Sequence, residues 1–336
     1  MTNETPVLEL RNLQKHYFLR PDFWGRPTAT VHAMDDVSLA LKRGETLSIV
    51  GESGCGKSTL GKTIVRLQDP TSGEFLLNGE RADRLQGAAL KAFRARVQII
   101  FQDPFSSLNP RMSVRETLAE PLVNFGLAAS RADIDAKIAS LLDMVGLPRD
   151  AANRYPHQFS GGQRQRIAIA RALAPSPDVI VCDEAVSALD VSVKAQIVNL
   201  LGDIQKETGL ALIFISHDLA IVEHLTHRVA VMYLGHVVEE GARREIFGTA
   251  AHPYTRALIS AAPNPTVEEK KPRILLKGDV PSPLAPPSGC RFHTRCAFAI
   301  DRCRAEVPRL RPVGGDHSVA CHYDFNRDGV LIQHAH

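Results

Sequence analysis

The 336-residue chain has no uncharged apolar run approaching the ~18 residues that a membrane span requires, so any work at a membrane must be done by docking on other subunits. Charge excess is also lacking. The net charge is +3 with both signs interspersed, which leaves out the basic field of a nucleic-acid binder. The opening MTNETPVLEL carries an acid and lacks the apolar core of a signal peptide, so a cytosolic compartment is expected. There is no internal repeat and no sustained heptad run. Disulfides are disfavoured in the cytosol, and the six cysteines read there as buried thiols or metal ligands. What remains is an ordinary globular composition, 44% hydrophobic and 23% charged, long enough for a large domain with an appendage.

Residues 7–17 alternate as an early strand, and a loop rich in Pro, Gly and aromatics is expected to run to about 30. A strand, the turn Lys42-Arg43-Gly44-Glu45 and a buried strand ending at Gly51 follow. Helix is predicted near 57–68 and again before the strand VQIIFQ. Helical periodicity then dominates from 103 to 175, with stops at Pro104, Pro110, Pro148 and Pro156. VIVCDE and LALIFISHD are short, wholly apolar strands of the kind found in a parallel sheet covered on both faces. After about 260, Pro and charge mark a linker, and a cysteine segment lies beyond it. The expected division is 1–258, 259–289 and 290–336.

Gly51-Glu52-Ser53-Gly54-Cys55-Gly56-Lys57-Ser58-Thr59 follows a strand and opens a helix. Its glycines let the backbone curl so that N–H groups point at phosphate oxygens, and the helix N-terminus adds positive potential there. Lys57 is placed to reach the β and γ phosphates and Ser58 to ligate Mg²⁺. Downstream, Asp183 and Glu184 end a buried strand, where two carboxylates cost desolvation energy unless a cation or a reaction uses them. Asp183 is the candidate Mg²⁺ partner, and Glu184 the candidate for polarising the attacking water.

A phosphate loop serves kinases, helicases, GTPases and transporters alike. The run Phe159-Ser160-Gly161-Gly162-Gln163, set before the helix IAIARALA, resembles the signature of the ATP-binding cassette family. Gln102 matches that family's Q-loop and Mg²⁺ contact, Asp190 in Ser187-Ala-Leu-Asp190 its D-loop, and His217 its switch histidine. Tyr17 stands where these proteins stack an aromatic on adenine, and Ala185 where a Pro often follows the catalytic Glu, a change of turn and not of chemistry. The resemblance implies an α/β, ABC-type P-loop nucleotide-binding domain: a RecA-like core, an antiparallel β subdomain and a helical signature subdomain, with a small Cys-containing C-terminal module. It also implies ATP and Mg²⁺ as cofactors, and a second cassette whose bound ATP faces Ser160, Gly161, Gly162 and Gln163.

Gln102-Asp-Pro-Phe-Ser-Ser-Leu-Asn-Pro-Arg111, Arg154-Tyr-Pro-His-Gln-Phe159 and His252-Pro-Tyr-Thr-Arg-Ala-Leu258 resemble stretches of the dipeptide/oligopeptide importers' ATP-binding subunits, as does PPSGC with its following cysteines. The partners so implied are a paralogous ATPase subunit, two transmembrane permease subunits and, through them, a periplasmic substrate-binding protein. The place implied is the cytoplasmic face of the bacterial inner membrane. Glutathione, murein peptides or nickel are alternative cargoes of the same engine. A soluble cassette ATPase, or a redox- or iron-sensing subunit, is an alternative of another class. Cys290, Cys296, Cys303 and Cys321 have four-thiolate chemistry suited to an iron–sulfur cluster or zinc, although no C-x₂-C pair is present. The resemblance implies [4Fe–4S]. His293, His317 and His322 are expected as solvated surface histidines that would serve only a zinc ion.

Overall fold

The computed structural model describes residues 5–21, 27–103, 107–262, 273–325 and 331–332. β1 (Leu8–Pro21) and β2 (Pro27–Leu41) form a long antiparallel hairpin, followed by β3 (Thr46–Val50), α1 (Lys57–Ile64), β4 (Ser72–Leu77) and β5 (Glu80–Arg81). β1 also pairs with β4, giving a four-stranded sheet in the order β2-β1-β4-β5. Most of the loop expected from 18 to 30 is therefore strand. Tyr17 pairs with Val31 and Leu19 with Ala29, so the ladder carries on past the position where the loop was expected to begin.

α2 (Gly87–Arg96) leads into β6 (Val97–Ile100). Three helices then pack together against one face of the sheet: α3 (Val114–Asn124), α4 (Arg131–Met144) and α5 (Gly161–Leu173). Serine caps start each of them, Ser113, Ser130 and Ser160, whose hydroxyls accept from backbone N–H groups in the first turn. The core resumes with β7 (Val179–Asp183), α6 (Val191–Thr208), β8 (Ala211–Ile215), α7 (Leu219–Leu225), β9 (Arg228–Tyr233) and β10 (His236–Ala242).

The main sheet runs β9-β3-β8-β7-β6 in parallel, with β10 antiparallel on β9. Its strands bury both faces. Ile180, Cys182, Leu212 and Phe214 point into one apolar layer with the helical lobe, and Val179, Val181, Ile213 and Ile215 into the other with the hairpin and α1. Because β3, β8 and β7 are in register (Ile49 beside Ile215 beside Asp183), the three loops leaving their C-terminal ends emerge together. That edge is where open α/β sheets place ligands.

α8 (Arg243–Thr249) and α9 (Pro253–Ala261) close the cassette. The cysteine segment, with α10 (Asp301–Ala305), β11 (Arg311–Gly314) and β12 (His317–Val319), is not set apart as a self-contained module. β12 pairs with β10 and extends the main sheet, Phe292 is 1% exposed among Tyr233, Tyr254 and His252, and His32 N–H donates to Pro283 O at 3.0 Å. The tail borrows the cassette's core instead of building one, which removes the need for a staple to supply its stability.

Candidate nucleotide site

Gly51 and Gly56 set the shape of the loop after β3. Both have positive φ, and a Cβ would lie 2.2 Å from Met232 O at Gly51 and 2.3 Å from Ala33 O at Gly56. Only glycine allows the loop to lie against β9 and β2 this closely. Lys57 is buried at the first position of α1, and its ammonium donates to Gly51 O at 2.7 Å and Glu52 O at 2.9 Å, so its charge sits inside the loop's arch. Ser53, Gly54 and Ser58 are exposed on the loop, while Cys55 is buried and its thiol pushed up by that burial, a small inert residue. Thr59 lies half-buried in the first turn of α1.

The Ser58 hydroxyl donates to Asp183 Oδ1 at 2.9 Å. Burial holds Asp183 above the usual carboxylate range, and the Ser58 bond offsets this only in part. A hydroxyl and a desolvated carboxylate side by side are the oxygen donors a Mg²⁺ ion takes. Cys182, next to Asp183, is fully buried and its thiol is pushed up to about 12, so it stays neutral packing. Glu184 has φ 50°, strained for a non-glycine residue. It is held there by its N–H to Ile215 O at 3.0 Å and by Ser187, whose N–H and hydroxyl both donate to Glu184 O at 3.0 Å. From the end of β8, exposed His217 places Nδ1 3.3 Å from Glu184 Oε1.

The remaining expected residues stand on other elements. Gln102 is exposed just past β6, and the neighbouring 104–106 fall outside the described residues. Tyr17 is half-buried in the hairpin, where its hydroxyl donates to Gln68 and Lys15 Nζ lies 5.1 Å from its ring centre. Ser160 is spent on its own helix: Gln163 N–H donates to Ser160 Oγ and Ser160 N–H to Gln163 Oε1, a reciprocal cap on α5. Gly161 and Gly162 begin that helix, Gly162 so close to α6 that a Cβ would lie 2.6 Å from Val193 Cγ1. Asp190, exposed, precedes α6, and Val191 after it is 84% exposed.

The four cysteines are free thiols. Burial raises Cys290, Cys296 and Cys321 to about 11 each, and neighbouring cysteines add to every one of these shifts. Yet no three of the sulfurs lie within 4.8 Å of one another. The close tetrahedron of a single zinc ion, with Zn–S of ~2.3 Å, is not formed. Nor are the histidines uniformly solvated: His317 is buried, its Nε2 2.7 Å from Glu239 Oε1.

Among the described residues, His16, His32 and Asp35 do bring ligand atoms within 4.8 Å, but Arg291 Nη2 donates to Asp35 Oδ2 at 2.9 Å. With a guanidinium on that carboxylate, the group is an ionic hub between hairpin and tail. Sequence reasoning missed Arg291 and Arg295. Each pairs with a carboxylate more than 240 positions away, and the only local signal was their place among the cysteines.

A phosphate loop whose serine meets a strand-end aspartate, with a glutamate and histidine beside it and a capped signature helix packed on the same sheet, defines a nucleotide-binding cassette ATPase. Residues 34–187 match the family described as ABC transporter, and residues 238–303 that described as oligopeptide/dipeptide transporter, C-terminal region. The chain is 53% identical to a probable peptide ABC transporter ATP-binding protein of Sinorhizobium fredii, over 94% of this chain and 89% of that one. It is 47% identical to the oligopeptide transport ATP-binding protein AppF of Bacillus subtilis, over 95% and 98%. A dimeric cassette, MJ0796 bound to ADP and phosphate, superposes with a TM-score of 0.62 at 31% identity, covering 70% of this chain and 99% of that one. The chain belongs to the ATP-binding cassette family, in the group of oligopeptide/dipeptide transporter ATP-binding proteins.

Proposed function

We propose that the chain is the ATP-hydrolysing subunit of a bacterial inner-membrane importer, coupling ATP binding and hydrolysis to uptake of dipeptides and oligopeptides. The observation that carries this reading is the convergence of Lys57, Ser58, Asp183, Glu184 and His217 at one sheet edge, in a chain whose C-terminal region matches that of peptide transporters. In this reading Lys57 neutralises the β and γ phosphates, and Ser58, Asp183 and Gln102 would hold a Mg²⁺ ion, which would supply charge neutralisation at the phosphates. Glu184 takes the proton of the attacking water, and His217 bonds the γ-phosphate and fixes that water. Gly51 through Thr59 supply the cradle and Tyr17 the adenine platform.

Ser160, Gly161, Gly162 and Gln163, at the start of α5, meet the ATP of a partner cassette, with Asp190 and exposed Val191 at the seam. The partner is a paralogous ATPase subunit. Two permease subunits carry the path through the bilayer, and a periplasmic binding protein delivers cargo to them. No described helix is long and apolar enough to cross a membrane. Division at 1–258, 259–289 and 290–336 separates the engine, the linker and the tail that packs back on it.

The test is ATPase activity of the complete complex in lipid, with its binding protein, against di- and tripeptides, longer peptides, glutathione and a nickel chelate. Stimulation by short peptides is expected. Stimulation by glutathione or nickel alone would reassign the cargo and keep the engine. We also infer that Cys290, Cys296, Cys303 and Cys321 hold a [4Fe–4S] cluster, a reading supported by four free thiols in one segment, three of which, Cys290, Cys296 and Cys321, are pushed up by burial and further by neighbouring cysteines. Such a cluster would bridge the cysteine segment to itself. Iron and sulfide in anaerobically purified protein are expected, and their absence would remove it.

A further inference from the structure

Glu52 is the one acidic residue of the phosphate loop, and residues outside the loop grip it on both backbone and side chain. Its N–H donates to Tyr254 Oη at 2.8 Å, from α9. Its carboxylate receives a two-pronged guanidinium from the cysteine segment: Arg295 Nη1 to Oε2 at 2.7 Å and Nη2 to Oε1 at 3.2 Å. Arg295 has little freedom to leave. Its side chain is 8% exposed, Nη1 also lies 3.4 Å from Tyr233 Oη with the guanidinium carbon 5.9 Å from that ring's centre, and Tyr233 in turn packs on Tyr254 and Phe292 with ring centres 4.8 and 5.2 Å away. Four residues earlier in the same segment, Arg291 reaches Asp35 on the hairpin, beside the Ala33 carbonyl that abuts Gly56. The segment is thus fastened to both flanks of the loop.

A polyphosphate seated in this loop meets a carboxylate two residues from Gly54. That like charge repels it unless a cation neutralises Glu52 and holds it turned outward. We propose that Arg295 is a positioning residue for the phosphate loop, and that through it the cysteine segment and the ATP site are coupled, a proposal that rests on residues 51–59 being the ATP loop. Cys296 follows Arg295 directly, so whatever fixes or frees that cysteine shifts the guanidinium. Coupling is reciprocal: if the segment changes ATP affinity, ATP changes the segment.

The test uses the full chain with ATP titrated against Arg295→Gln, the double variant Glu52→Gln/Arg295→Gln, and Lys57→Ala. Arg295→Gln leaves a carboxylate uncompensated and is expected to weaken ATP binding by the chain about tenfold and, in the assembled complex, to raise KM with kcat kept within about twofold. The double variant removes the orphaned charge and is expected to recover binding to within about threefold of wild type, which lost packing alone would not do. Lys57→Ala reports on the site itself: if it binds ATP as wild type does, the loop assignment fails. If Lys57→Ala loses ATP while Arg295→Gln does not, or the double variant stays as weak as the single, only the positioning role is overturned. Should Arg295→Gln fold poorly, the wild-type chain decides, reduced and treated with chelator. ATP is expected to change alkylation of Cys296 by iodoacetamide at least about threefold, and an unchanged rate overturns the coupling.

Discussion

Glu184 sits at φ 50° between an aspartate already crowded by burial and a histidine 3.3 Å away. Strain of this kind, ~1–3 kcal/mol, persists where surrounding bonds over-determine it, and here Ile215 and Ser187 supply them. Glu184→Gln keeps that backbone and removes only the charge. Turnover of the assembled complex is expected to fall about 10²–10³-fold with ATP affinity nearly unchanged, and turnover within tenfold of wild type would remove Glu184 from the chemistry.

A second residue-scale expectation concerns His236 and His252, both lowered to about 4 by burial, with Arg291 contributing at His236. The unfolded chain takes up these protons near pH 6.5 and the folded chain near 4, so stability is full above 6.5 and lost as pH falls across that window. Roughly 3 kcal/mol per histidine is at stake. Melting temperature is expected to drop steeply from pH 7 to 5. His252→Asn, which retains an acceptor for Tyr254 N–H, should make the slope about half as steep. A flat profile in the wild-type chain would show that neither histidine is held neutral.

Among the elements, α5 carries most. Its N-terminus is capped by the serine that the proposed function also presents to a partner's nucleotide. Ser160→Ala is expected to cost about 1 kcal/mol in unfolding of the isolated chain. ATP binding by that chain should be untouched, while ATPase activity of the assembled complex collapses. Equal losses in both assays would mean that Ser160 does no more than start a helix. Elements of this kind were legible in the sequence because their signals are local: glycine spacing, the Ser160–Gln163 run before an apolar helix, an apolar strand ending in acids. The extension of β1 and β2 past residue 18 was not, since Pro21 and Pro27 read as loop while the alternation of Thr28–Val31 continued beneath them. The Arg295–Glu52 and Arg291–Asp35 pairs were illegible for another reason. No periodicity links residues so far apart, and a buried guanidinium looks in sequence like any surface arginine.

At the scale of the whole molecule, the tail reads as part of the cassette. Glu239 is fully buried on β10, and its carboxylate accepts from Ala251 N–H at 2.6 Å and His252 N–H at 2.9 Å, with His317 Nε2 at 2.7 Å. Truncation after residue 310 removes His317 and exposes the edge of β10, leaving a buried carboxylate short of a partner. Such a chain is expected to retain every nucleotide motif yet aggregate or melt well below the full-length protein. A truncated chain that stays monomeric and melts within about 2 °C of the parent would show the tail to be an accessory.

The covering strand also fixes an order of events during synthesis. β10 leaves the ribosome roughly 75 residues before β12, an interval of about 4–15 s at ordinary elongation rates. Throughout that interval the nascent cassette already holds its phosphate loop, signature and strand-end acids, while one flank of its sheet is bare. A ribosome that stalls late therefore releases a product that carries the whole ATP site and is marked as unfinished by the uncovered outer edge of β10.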